Sequence, residues 1–378
     1  MGDIKLKKGT GILFVMAVLF ISSLLYLHYG DQNTLRVGIF YGSNWEVPGT
    51  VHYEILDQAI KKFKSKYPNV KVEYEKGILS NDYSEWLSEQ ILKGTEPDVY
   101  LVLDEDFNTL ASLGALKNLD MLVGGDKEFD SDVFYSSVYK AGQYEGSQYA
   151  LPMECNPTLM FVNKTLLQKE GIKVPDNDWT WDDFYGICKA IVKDSDGDGQ
   201  MDQFGCYDYT WLQAVYSNGI TPFNQSGTAS NFLDEKFSQS LEFVKRLEAT
   251  NRNYQVTSND FDLGKVAFRP FTFSNYRTYM PYPWRIKKYS GFEWTCIRMP
   301  AGPSGDNRSE MSALMAGMSS RTEKKQCAWD FVKLLTTDTD IQKLVYEDTS
   351  AASVLKSVNT SQDTMNLLNK DTPGDSII

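Results

Sequence analysis

Asp194, Asp196, Asp198, Gln200 and Asp202 fall on alternate positions of the run Asp194-Ser195-Asp196-Gly197-Asp198-Gly199-Gln200-Met201-Asp202. A hard cation such as Ca2+ needs oxygens that converge from a tight loop. Side-chain oxygens at the first, third, fifth and ninth places, a carbonyl at the seventh and glycine at the sixth would supply them. The twelfth place, which carries a bidentate Glu in the full pattern, is Gly205. The missing ligand would have to come from elsewhere, with Asp208 as a candidate. Two readings stay open: a loop holding a structural calcium, or an acidic surface turn between a helix and a strand. No other cofactor is required.

Little else in the chain points to catalysis. There are two histidines, His28 and His52, and His28 sits in an apolar N-terminal run. That argues against a His-rich metal site and leaves a Ser-His-Asp triad one usable centre. Neither a nucleophile elbow nor a phosphate-binding P-loop occurs. The cysteines, Cys155, Cys188, Cys206, Cys296 and Cys327, form no CxxC pair, and their odd number suits small buried hydrophobes better than a disulfide framework. With 50 acidic against 38 basic residues the net charge is -12, so nucleic acid is not an expected partner. Fifty carboxylates also make acid pairs common by chance, so such pairs do not favour a glycoside hydrolase.

The elements that would position these groups follow an α/β pattern after Gly30. Leu35–Phe40 reads as a strand. Ile55, Leu56, Ala59, Ile60 and Phe63 recur at helical spacing, and Tyr67-Pro68-Asn69 ends that helix. Val70, Val72 and Tyr74 alternate with charge, as a half-buried strand does. A second helix covers Ser84 to Leu92 and stops at Gly94. Asp98–Leu103 is a continuous apolar strand, as in a sheet covered on both faces. Strand, helix, strand, helix, strand opens a doubly wound domain, whose ligands sit beyond the carboxyl ends of the strands. That rule selects Asn44 and Trp45 after the first strand, and Asp104 and Glu105 after the third. Further on, Leu159–Val162 reads as a strand. Thr180 caps a helix, Phe237, Leu241, Val244 and Leu247 form the inner face of another, and a last helix covers Lys324 to Leu335. Trp86, Trp181 and Trp329 lie on helix faces and are expected in the core.

At the N-terminus, Lys5, Lys7 and Lys8 precede an uncharged run from Ile12 to Leu27. Tyr26-Leu27-His28-Tyr29 is no small-residue cleavage site, and no cysteine follows to carry a lipid. The expectation for residues 1–30 is an uncleaved membrane anchor, with a cleaved signal segment as the other reading. The lysines place the bulk of the chain outside the cytoplasm: on the extracellular face of the membrane if anchored, secreted if cleaved.

Seven segments, in order, resemble the extracellular solute-binding proteins of carbohydrate ABC importers, the maltose-binding-like family. They are Gly94–Val99, Leu110–Asp120, Tyr149–Pro152 with Phe161–Lys164, Val174-Pro175 with Trp179–Trp181, Phe261–Phe268, Met299–Pro303 and Ala328–Leu335. The resemblance covers about Leu35 to Val358. It departs in lacking the lipid-bearing cysteine, in running on as Arg269-Pro270-Phe271-Thr272 without a glycine-rich turn, and in a short tail.

The resemblance implies a two-lobed periplasmic-binding-protein-like α/β fold with hinge crossings and an interlobe cleft. Lobe 1 would comprise 35–153 plus 264–305, and lobe 2 would comprise 154–263 plus 306–378, with crossings near 151–154, 261–265 and 300–312. A carbohydrate would lie in the cleft, and closure of the lobes would be read by the importer's membrane subunits. Sugar rings have apolar faces for aromatic side chains and hydroxyl rims for polar ones. Glu154 and Asn156 at the first crossing, Tyr209 and Trp211 after the acidic run, and Phe273, Tyr276, Tyr282, Trp284 and Arg285 after the return crossing are the implied contacts, beside Asn44, Trp45, Asp104 and Glu105. No catalytic residue is implied, and a monomer is expected. A membrane-anchored sensor that signals by cleft closure is the alternative.

Overall fold

The computed structural model describes residues 33–45, 52–224, 227–252, 254–279 and 291–371, together with Met16. The expected anchor over 1–30 (Met16 apart) and the expected contacts Tyr282, Trp284 and Arg285 lie outside the described residues. No helix among the described residues is long and apolar enough to cross a membrane.

The described strands are β1 (Thr34–Gly38), β2 (Lys71–Tyr74), β3 (Val99–Val102), β4 (Gln143–Tyr144), β5 (Ser147–Gln148), β6 (Ala150–Asn163), β7 (Phe204–Cys206), β8 (Val266–Thr272), β9 (Trp294–Ile297), β10 (Met311–Met318) and β11 (Ala352–Ser353). The main sheet runs β2-β1-β3-β10-β6-β8-β7, with β9 and β11 also paired to β6. β1 is parallel to β2 and β3, as the opening pattern predicts, whereas β10 is antiparallel to β3 and to β6. Every residue of β3 is buried, which is why it reads as an unbroken apolar run rather than an alternating one.

The long strand β6 joins the lobes. Its first half, through Pro157, pairs with β10, and its second half, from Thr158, pairs with β8 and β9. The lobe boundaries expected from the sequence are therefore corrected. β8 and β9, within 264–305, belong to the second lobe, and β10 with the helices Lys325–Thr337 and Thr339–Asp348 belongs to the first. One core gathers Leu35, Tyr100, Leu151, Leu314, Trp329 and Val345. Two others gather Trp181, Phe184 and Phe268, and Phe161, Phe261 and Tyr276. The apolar runs β8 and β10 look alike as sequence, and only their partners on β6 assign them to a lobe. No crossing occurs at 261–265, because Phe261 packs on Phe161 at 5.3 Å and Val266 pairs with β7. The chain returns between Gly305, which sits against Ser217 of the second lobe, and Met311, which pairs with Pro157.

The helices begin and end for local reasons. Ser80–Lys93 stops at Gly94, whose φ of 69° is open to glycine at no steric cost. Trp181–Ile191 starts with a reciprocal cap, Thr180 accepting from the Asp183 N–H while Asp183 accepts from Thr180. Glu235–Glu248 is capped by Asp234. Leu241 of that helix, expected inward, is instead 39% exposed; Phe237, Val244 and Leu247 fill the inner face and leave it on the flank. Trp181 and Trp329 are buried as expected, while Trp86 is half-buried over β1 and β2.

Candidate interlobe site

Strand direction fixes where the two lobes face each other. β3 and the first half of β6 run the same way, each being antiparallel to β10, so the ends of β1 and β3 point toward the second lobe. β8 is antiparallel to β6 and parallel to β7, so the ends of β7 and β8 point back toward the first. Residues 39–45, 103–106, 207–217 and 272–279 thus converge on one interlobe region, crossed by the return segment that ends at Glu310. Ligands sit at such carboxyl ends because loops there can vary while the sheet holds them in place.

On the first lobe, Trp45 is buried and its indole Nε1 donates to the Glu154 carboxylate of β6 at 2.9 Å. The pairing ties the loop after β1 to the hinge strand. Asn44 beside it is half-buried. Asp104 opens the helix Asp104–Ser112, with Glu105 next to it. The Asp104 carboxyl keeps contact with water, yet protein crowding on its other sides pushes its pKa up to about 6, helped by the charges of Glu105 and Glu310. Burial also raises Glu310. Across the cleft, burial raises the Tyr216 phenol, and the charges of Glu310 and Asp104 add to the shift. Tyr216 belongs to the second lobe and Asp104 to the first, so the two lips lie within electrostatic reach. Among the described residues, no cation forms an ion pair with Asp104, Glu105 or Glu310.

On the second lobe, a cavity of about 810 Å³ runs along the edge strand β7, from Asp208 and Trp211 at its end past Leu241 and Val244 to Tyr254, which stacks on Phe204 at its start. Asp208 has φ 64°, a left-handed conformation that Asp tolerates better than most residues. Its carboxylate lies 3.7 Å from the Arg269 guanidinium, which in turn rests 4.8 Å over the Tyr207 ring and 4.2 Å over Phe271. The Tyr209 ring is buried against Phe184, whereas Trp211 is 41% exposed at the start of the helix Trp211–Ser217.

The remaining expected contacts serve the fold. Asn156 is buried, donates from Nδ2 to Ser274 Oγ at 2.9 Å and accepts from the Ser274 N–H at 3.0 Å, locking β6 to the end of β8. Phe273 packs on Tyr346 behind the hinge, and Tyr276 is 1% exposed beside Phe161. These two are corrections: the helix Phe273–Thr278 turns both rings into apolar clusters rather than outward. The structure thus brings together Trp45, Asp104 and Glu105 on one lip, with the fully buried Glu154 behind Trp45, and Trp211 on the other. Tyr209 is a further correction, because its ring packs in the core against Phe184 and Phe243 and its hydroxyl meets Ser217. Sequence reasoning missed Glu310 and Tyr216. Glu310 immediately precedes β10 at a lobe crossing, a position the strand-end rule could have flagged once the crossing was placed. Tyr216 carries no periodic signal of its own.

The acidic loop is a separate feature. Asp194, Asp196 and Asp202 each offer a carboxylate oxygen within 4.8 Å of the others. The Gly199 and Gly197 N–H groups hold the Asp194 carboxyl below the usual carboxylate range, despite a small opposing effect of burial. Asp202 accepts from the Ser195 N–H and hydroxyl, and Asp198 accepts from the Gln200 N–H. Asp198 and Gln200 stand outside the trio. Asp208, the candidate for the missing ligand, faces Arg269 instead.

Comparison with known proteins agrees with this geometry. The solved structure of the sugar-binding protein MalE from Xanthomonas citri superposes with a TM-score of 0.70 at 17% identity, over 89% of this chain and 84% of that one. A substrate-binding protein from Listeria monocytogenes, solved with cycloalternan, gives 0.61 at 21% identity, over 90% and 83%. At such identities the likeness establishes the two-lobed fold. In sequence, the diacetylchitobiose binding protein DasA of Streptomyces coelicolor is 26% identical over 221 residues, and the multiple sugar-binding protein of Streptococcus mutans is 27% identical over 140. These matches take in 58% and 36% of this chain but only 48% and 30% of the relatives. Residues 48–341 match the bacterial extracellular solute-binding protein family, and since that is most of the sequence, the chain belongs to this family.

Proposed function

We propose that the solute is a sugar, an oligosaccharide by preference, held between the lobes and handed unchanged to the membrane subunits of an ABC importer. As a solute-binding protein, the chain performs no chemistry on its guest. The observation that carries the reading is the pairing of unlike lips at converging strand ends. Asp104, Glu105 and Glu310 offer acceptors for hydroxyl groups, and Trp211 beyond the end of β7 offers a ring face for C–H surfaces. The named sugar specificities of the relatives and structural neighbours support the same class of guest. Closure would be selected by contacts that need both lips at once, and β6 with the 305–311 return would act as the hinge.

Titration calorimetry with a panel of di- to octasaccharides tests this reading. Saturable binding of one linkage class is expected, with a melting temperature that rises with ligand excess. Binding only of amino acids or peptides would overturn it, as would turnover of the sugar.

Two finer parts of the proposal have separate tests. The run from Ile12 to Leu27 would tether a monomer to the outer face of the membrane, and retention in a high-salt-washed membrane fraction checks that. Asp194, Asp196 and Asp202 would hold a structural Ca2+ in the acidic loop, and a Ca2+-dependent melting shift that D194A abolishes checks that.

A further inference from the structure

The second lobe carries an apolar feature that its core does not use. Trp211, at the lip of the cavity, packs 5.8 Å from Phe237. Phe237 packs 5.0 Å from Phe232, and Phe232 packs 5.5 Å from Phe223. Phe237 is buried, but Trp211, Phe232 and Phe223 are 41%, 46% and 51% exposed. Leu241, one helical turn beyond Phe237 on Glu235–Glu248, is also exposed and lines the cavity. The row is therefore continuous with the cavity at one end and runs out over the surface at the other. Folding does not require three aromatic rings at such exposure, and each costs free energy while it faces water.

The setting of the outer end is mixed: Leu233 beside Phe232 is fully exposed, while Asn224 and Asn231 lie next to the rings in sequence, with Thr228 between them. Phe223 bridges to Ser230, Asn224 donates to Thr228 Oγ1 and Asn231 to the Thr221 carbonyl. Alternating ring faces and small polar side chains suit a chain of sugar units, whose apolar faces and hydroxyl rims recur along its length.

We propose that the guest is a long oligosaccharide whose inner units occupy the interlobe cleft and whose outer units leave it along Trp211, Phe232 and Phe223. The inference rests on the sugar reading and adds a chain-length preference to it. Once the cleft is full, each further unit stacked on a ring strengthens binding.

The test compares oligosaccharides of increasing length, from dimer to octamer, in α-1,4-glucose, β-1,4-glucose, β-1,4-mannose and β-1,4-N-acetylglucosamine series. Calorimetry would use the wild type and the variants F223A, F232A and F223A/F232A, each checked for an unchanged far-ultraviolet spectrum and melting point. In the series that binds, wild-type affinity should rise by about fivefold to tenfold in all beyond the tetramer. The double variant should lose that rise while binding the dimer and trimer as wild type does. An affinity that stops growing at or before the tetramer overturns the proposal, as does a rise that survives in F223A/F232A. If all three variants bind every length normally but lose uptake in cells, the row is an importer contact and the proposal also fails. If no sugar of any length binds, the sugar reading itself fails, an outcome distinct from a lost length dependence.

Discussion

At the end of β3, Asp104 and Glu105 meet the interlobe region as carboxylates, and beyond the end of β7, Trp211 meets it as a ring. The lips also differ in how they are held. Trp45 of the first lobe is fastened to the hinge through Glu154, whereas Trp211 of the second stands partly in water beside an open cavity. One lip can thus place hydrogen-bond acceptors with little freedom, while the other can adapt its ring faces to the guest. The difference teaches that, on the proposed reading, recognition would be divided between the lobes. A guest would have to satisfy both chemistries, and a closed state meeting only one would not be favoured.

The largest effect that could break this picture lies in the second lobe's core. Phe161 is ringed by Phe261, Phe271, Tyr276, Tyr279 and Trp294 at 5.2–5.8 Å. Phe161→Ala should cost about 3–5 kcal/mol in chemical denaturation, the range for a large aromatic removed from a packed interior. A cost below about 1 kcal/mol would mean that this lobe does not pack around β6. Next comes the fastened lip. Trp45→Phe keeps a ring and removes the donor to Glu154, and should cost about 1–3 kcal/mol. Replacing Glu154 with Gln, which keeps an acceptor, should cost less, and equal losses would argue against the bond. Thr180→Ala, which removes the cap of Trp181–Ile191, should cost about 1 kcal/mol.

Acidity sharpens the comparison further. Asp104 has its pKa raised from 3.8 to about 6, so between those values the unfolded chain has lost a proton that the folded one keeps. Its contribution is most favourable below the unfolded value, declines as pH rises through that window and is level above it. Asp126, away from the cleft, behaves oppositely. Burial alone would raise it, but Lys333, the Trp329 indole and the Glu128 N–H bring it down to about 2. Its stabilisation is present above 3.8 and is lost as pH falls toward 2. Melting curves against pH should show Asp104→Asn flattening only the upper window and Asp126→Asn only the lower one. Either variant altering both windows would mean the two sites are coupled. The smallest effect on stability belongs to Trp211→Ala. It should change folding by less than about 0.5 kcal/mol while weakening sugar binding measurably, and a normal binding isotherm would remove Trp211 from the site.

Much of the fold was legible because it is written locally. The helix ending at Gly94, the reciprocal cap at Thr180 and the buried run of β3 each follow from residues within a turn or two of one another. Strand-end reasoning likewise placed Trp45 and Asp104 beyond the carboxyl ends of β1 and β3, where the structure has them. Tyr276 and Phe273 misled because an aromatic-rich, proline-broken stretch looks the same whether its rings face a ligand or a core. Glu310 was missed because its importance lies in facing Asp104, more than two hundred residues away in sequence.

The amino-acid sequence by itself determined the alternation of strands and helices, the caps that bound them and the family, since these depend on side-chain period and short-range bonding. The tertiary structure alone decided which lobe owns β8 and β10, and which rings reach solvent. Both depend on which half of β6 each strand pairs with, and edge pairing between distant apolar runs leaves no mark in the residues until the chain has folded.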